Sequence, residues 1–265
     1  MVARFPLLIL LCLVLAACVG KAPGEGCLSC HSPHYAERGS CVSCHRGNGK
    51  SVRKAIAHHR LIPAELAHFT IPGSRRVEEG KRLVERFGCR RCHNLGGKGT
   101  RLAADLDRLA GDDPVRLFGA IKRPVLFMPD FHFDDRQTAG LVNAVMAFAS
   151  AAPRRGDGGL PIVVHFASPR QGEGTIFEKK CGGCHRLLTA RYGALGSGDV
   201  APNLSGLFTS FYPTPFKPGE PWTPERLGRW LDNPRTVRPV TPMPPVRLSP
   251  AEKKQLTEML KADPD

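Results

Sequence analysis

Between residues 2 and 127 this 265-residue chain has no methionine, and it holds only five in all. A metal centre in its first half must therefore do without a thioether donor. The apolar run from Phe5 to Leu15 falls short of the roughly 20 residues that a spanning helix needs. No Ser-His-Asp arrangement and no phosphate-binding loop is present. Acidic residues are in deficit, 24 against 38 Lys and Arg, for a formal net charge of +14. Such an excess suggests a nucleic-acid binder. The basic residues are scattered rather than gathered in one arm, however, and no nucleic-acid motif accompanies them, so nucleic acid is excluded as a partner.

Against these absences stands one repeated pattern. Cys-x-x-Cys-His occurs at Cys27–His31, Cys41–His45, Cys89–His93 and Cys181–His185. It is the attachment signature of c-type haem. Two thiols three residues apart on one helical turn face the same way, so Cys27 with Cys30, Cys41 with Cys44, Cys89 with Cys92, and Cys181 with Cys184 can each form thioethers to both vinyl groups of one porphyrin. The next residue, His31, His45, His93 or His185, reaches the iron as proximal ligand. Four covalently bound c-type haems are therefore expected. Zinc is the alternative use of paired Cys-x-x-Cys, but zinc ribbons do not require a His directly after each pair. Disulfides within the pairs are a weaker alternative.

The N-terminus reads as an export signal over residues 1–17: one positive charge at Arg4, a short apolar core, then small residues. Leu15-Ala16-Ala17-Cys18 resembles the bacterial lipobox, which implies cleavage before Cys18 and lipidation of its sulfur. The cysteine count agrees. Eight hold haem, Cys18 carries lipid, and Cys12 leaves with the signal. Ordinary cleavage after Ala17 is the competing reading. Lipid would anchor the protein without spanning the membrane. Val19 rather than Asp after the cysteine favours the outer membrane of the cell envelope, with the protein on its periplasmic or surface side. Removing Arg4 and adding eight propionates brings the net charge to about +5. The remaining basic residues either neutralise propionates or form a docking face for an acidic redox partner.

Residues 18–70 hold two motifs fourteen residues apart, too close for a separate fold around each haem. The stretch from Cys27 to His45 resembles the doubled motif of multihaem cytochromes, including the Ser-Pro-His after the first motif. With no local methionine, both irons are expected to be bis-histidine. His34 is the first candidate, His58 or His59 on the helical-looking stretch 52–60 is the second, and His68 is a reserve.

Residues 71–152 run in a familiar order. A helix capped at Ser74, with Val77, Leu83, Val84 and Phe87 on one face, leads into Cys89–His93. Met128-Pro129 follows 35 residues after His93, then a closing helix over about 134–150. This order resembles class I cytochrome c and implies His93 and Met128 as the axial pair. His132 competes, while Met146 sits at core spacing. Residues 151–160 read as a linker. The module 153–265 resembles class I cytochrome c more closely: a helix over 171–180, Cys181–His185, Pro202-Asn203-Leu204, Trp230 to Pro234, Met243-Pro244 and a helix from Ser249 to Leu260. The resemblance implies His185 and Met243 as ligands, with the Pro202 carbonyl accepting from His185. The earlier module has Thr100-Arg101-Leu102 where Pro-Asn-Leu would fall, so what orients His93 is open. His165 has no evident role, and Met259 reads as core.

The expected fold is mainly α and loop-rich: a small dihaem N-terminal unit followed by two class I cytochrome c-like helical domains. Methionine ligation raises a haem's potential relative to two imidazoles. The chain thus reads as an electron carrier pairing two low-potential with two higher-potential haems. Other redox proteins, cytochromes or a quinol-oxidising membrane complex, are its expected partners. The alternative is a haem enzyme, dihaem peroxidase-like or a multihaem reductase, in which one iron is five-coordinate; the third haem is the place for it.

Overall fold

The computed structural model describes residues 26–125, 127–153 and 174–262. The signal, Cys18, most of the 151–160 linker and His165 lie outside the described residues. Among the described residues the chain is mainly helical and loop-rich, with one two-stranded sheet. No described helix is long and apolar enough to cross a membrane. The chain divides into two compact units, with the boundary between Pro63 and Ala64.

The first unit carries α1 (Cys41–His45), α2 (Lys54–Ala57) and two short 3-10 turns. The helix expected over 52–60 is thus a single turn. No side chain caps its start, and Arg60 takes a left-handed φ of 57° that ends any continuation. Of the described residues in this unit only Gly26 and Ile62 are buried, while Leu28, Tyr35, Val52, Ile56 and Leu61 are exposed. So little apolar burial does not offset the entropy of ordering the backbone, about 1–2 kcal/mol per residue. Among its described residues the unit lacks a core of its own.

The second unit holds both expected C-terminal modules. In the first of them α3 (Arg75–Arg86) crosses α5 (Asp135–Ala151) at Gly80 and Gly140. A Cβ on Gly80 would fall 1.9 Å from the Gly140 carbonyl oxygen, so only glycine permits this approach. Val84, Leu95, Leu141, Ala144 and Val145 fill the space beside the crossing. Asp134 and Gln137 form a capping box at the start of α5. Fully buried Asn143 on α5 donates to the Glu65 and Ala139 carbonyls and accepts from the Phe69 N–H. Those bonds draw Glu65–Phe69 into the second unit. Between the two long helices lies α4 (Pro114–Lys122), capped by Asp113 with proline in its first turn.

The C-terminal module starts with α6 (Ile176–Lys180), capped by Thr175. An antiparallel hairpin follows, β1 (Leu187–Thr189) with β2 (Gly193–Leu195), then α7 (Pro224–Asp232) and α8 (Pro250–Leu260). Ser249 and Glu252 cap α8 as a box, with Pro250 in its first turn. Phe177, Leu187, Leu195, Phe216, Trp230 and Leu260 form the core. A small third cluster, Cys92, Leu102, Phe127 and Leu188, draws residues from both modules.

Candidate haem sites

Each motif folds as one helical turn. The His N–H bonds back to the first Cys carbonyl at 3.0 Å for His31, 3.1 Å for His93 and 2.9 Å for His185, and Cys41–His45 is itself α1. The two thiols and the imidazole are thereby brought to one face. All eight motif cysteines are free thiols. Among the described residues no three His, Cys, Asp or Glu side chains converge as a structural zinc site requires.

Three of the four motif histidines are held by a backbone carbonyl. His45 Nδ1 lies 2.9 Å from the Ile62 oxygen, His93 Nδ1 2.8 Å from that of Ala104, and His185 Nδ1 2.7 Å from that of Pro202. A carbonyl only accepts, so Nδ1 carries the proton in each ring. Nε2 is left with a free lone pair, the state an iron ligand needs. The Pro202 contact is the one that the cytochrome resemblance implies. Ala104 answers what orients His93, and Ile62 plays the same part for His45. Neither carbonyl carries a sequence signal, because any residue type supplies one.

In the first unit the histidines gather in two pairs. The His34 and His45 rings lie 5.7 Å apart, and those of His31 and His58 lie 6.0 Å apart. His59 instead lines a small hollow with Gly47, Asn48 and Ile56. His68 belongs to the second unit, where its Nδ1 faces the Ser74 hydroxyl at 3.4 Å. Ser74 consequently makes no side-chain cap on α3.

The third motif opens onto an almost wholly apolar cavity. Its walls bring together Cys89, Cys92, His93 and Met128, the donors that one haem needs, with Phe87, Phe127 and Phe131 beside them. Burial pushes the Cys89 thiol up to about 11 and also raises Cys92. It holds His93 below its ordinary value, opposed by the Ala104 hydrogen bond. Desolvated, neutral donors around an apolar slot suit a porphyrin. His132 is not in this wall; its side chain is 85% exposed and faces Asp130 at 3.4 Å. Met146 is fully buried in the helical core.

At the fourth motif Cys181 is part of the module core, and burial pushes its thiol up to about 11. His185 is buried. Met243 packs against the same core, and its sulfur accepts a hydrogen bond from Trp230 Nε1 at 2.9 Å. Met259 is buried in that core. The Trp230-to-Pro234 stretch was legible, but the donor role of its indole was not.

Residues 75–145 match a protein-family model described as "Cytochrome C oxidase, cbb3-type, subunit III". The matched stretch spans α3, the Cys89–His93 motif, Met128 and most of α5. Comparison with curated proteins and with solved structures gave no match. The cavity and the matched stretch together define the class: the chain carries a mainly helical c-type cytochrome domain. Such a domain holds covalently attached haem c and transfers electrons to and from redox partners.

Proposed function

We propose that the chain is a tetrahaem electron carrier anchored by lipid in the bacterial cell envelope. Two ferric/ferrous haems of low potential would lie in its first unit and two of higher potential in its second. The observation that carries this reading is the pairing of histidines in the first unit. Two imidazoles sharing one metal at about 2.0–2.1 Å from each nitrogen would have ring centres a little over 6 Å apart. The pairs His31–His58 and His34–His45, at 6.0 and 5.7 Å, come close to that spacing. His58 is thus assigned to the haem of Cys27 and Cys30, and His34 to that of Cys41 and Cys44. His59 and His68 are left without an iron.

Met128 and His93 in the wall of one cavity support six-coordination at the third site. Met243, held by Trp230, is assigned to the fourth. Six-coordinate irons leave no open position for a substrate, which favours a carrier over a peroxidase-like or reductase enzyme. The haems supply one-electron chemistry. The chain's own residues hold them, fix the proximal rings through Ile62, Ala104 and Pro202, and keep water from the third site with Phe87, Phe127 and Phe131. Other cytochromes or a quinol-oxidising complex are the proposed partners.

The test is a mass measurement joined to a spectrum of the purified oxidised protein. Four added haem masses, low-spin bands throughout and a thioether-to-iron band are expected. A high-spin fraction that binds cyanide or peroxide would favour the enzyme instead.

A further inference from the structure

The two cytochrome-like modules of the second unit meet at Pro202-Asn203-Leu204-Ser205-Gly206. The Pro202 carbonyl holds the His185 ring. Its neighbour reaches into the other module: Asn203 Nδ2 donates to the Phe127 carbonyl at 3.1 Å, one residue before Met128. The Asn203 carbonyl accepts from Arg91 Nη1 at 3.0 Å and from the Tyr212 hydroxyl at 3.1 Å. Arg91 is buried and lies between the two attachment cysteines of the third motif. The Ser205 hydroxyl accepts from the Leu188 N–H at 2.8 Å. Gly206 comes so close that a Cβ there would lie 2.5 Å from the Arg91 carbonyl oxygen. Leu188, on β1 of the C-terminal module, forms part of the wall of the third haem cavity.

We propose that Pro202–Ser205 is a positioning segment shared by the third and fourth haem sites, which makes them one coupled redox pair. This rests on the reading that haem fills both sites. One residue of the segment orients the proximal histidine of the fourth site. The next fixes the backbone beside Met128 of the third, and Ser205 holds Leu188, which lines the third site. Leu188 completes the third site's wall from outside its own module. The third cavity is therefore unfinished without the C-terminal module. A disturbance in this stretch reaches ligands of both irons through short, part-buried hydrogen bonds, and partners of this kind tune a metal nearly as directly as its ligands do.

The test uses the full holo-protein in a Met243→His background, where an imidazole pair moves the fourth haem to low potential. The wave left at high potential then belongs to the Cys89–His93 site. Adding Asn203→Ala or Leu188→Ala, both changes in the C-terminal module, is expected to lower that wave. Each lets water towards the iron and favours its ferric state. The expected shift is a tenfold change in the reduction equilibrium, about 59 mV for one electron, with a weaker thioether-to-iron band. Asn203→Gln, which keeps an amide donor, should recover part of the shift. Val200→Ala, at an 81% exposed residue of the same loop, should leave the wave unmoved. Should Asn203→Ala fail to retain four haems, Leu188→Ala carries the test alone. Waves unmoved by both variants would overturn the shared segment while leaving the ligand reading intact. A Met243→His change that itself moves nothing would instead sink the ligand reading, and this proposal with it.

Discussion

Trp230 points its indole N–H at the sulfur of Met243 across 2.9 Å. Trp230 is buried on α7, flanked by Trp222 and capped on one face by the Arg238 guanidinium. The donor is therefore fixed before any iron is bound. A donor on the sulfur draws electron density from it and makes it a poorer partner for ferric iron. Trp230→Phe should keep the packing and lose the donor. The fourth haem's potential is expected to fall by the equivalent of one hydrogen bond, about 0.5–1.5 kcal/mol. A redox titration checks this, and an unchanged or raised potential would count against the tuning role.

The ring pairs in the first unit give a second prediction, in which the two sites fail separately. His34→Ala should turn the haem at Cys41 and Cys44 high-spin, and His58→Ala the haem at Cys27 and Cys30. His59→Ala should leave both low-spin. Electron paramagnetic resonance of each oxidised variant distinguishes the three. High-spin signal from His59→Ala would reverse the assignment of His58.

Anchoring through Cys18 is tested by fractionation. Cys18→Ser is expected to release haem-stained protein into the soluble envelope fraction with all four haems attached. Membrane association as strong as in the wild type would show that lipid on this residue is not the anchor.

A fourth prediction concerns acid. Burial, with a contribution from Arg76, holds His68 below the ordinary histidine value of 6.5. As pH falls through about 6.5 the unfolded chain takes up this proton before the folded chain does. Protons bound only by the unfolded state destabilise the fold. The full stability of the second unit should therefore be present above about pH 6.5 and decline below it. His68→Gln should flatten that part of the slope in thermal melts taken between pH 5 and 8. An identical slope in the variant would assign the decline to other groups.

The motifs, the Met-Pro sequences and the long helices were legible because each depends on residue identity: Cys and His at fixed spacing, or caps such as Asp134 and Ser249 before an apolar period. Two further helices carry the same kind of signal in Asp113-Pro114 before α4 and Thr223-Pro224 before α7, but both are only nine residues long. The hairpin Leu187–Leu195 has strands of only three residues, too few for an alternating pattern to emerge. The stretch after Cys44 looked helical from Val52 to Arg60, but an uncapped start and the left-handed Arg60 reduce it to one turn. Backbone carbonyls that orient ligands, such as those of Ile62 and Ala104, leave no trace in a sequence. Nor does the choice of His58 over its neighbour, which turns on where a short helix happens to stop.

The bareness of the first unit has a consequence for how the protein is made. With only Gly26 and Ile62 buried among its described residues, this end would, on the proposed tetrahaem reading, acquire an interior only as its porphyrins are attached. A chain that received haem at Cys89 and Cys181 but missed it at Cys27 or Cys41 would then carry a sound C-terminal half and an open N-terminal one. Degradation tracks the population of open chain, so such partly loaded molecules would be removed first. On the proposed tetrahaem reading, the haem supply of the cell would thereby set how much of the carrier survives, and incomplete wires would be cleared before they could misdirect electrons.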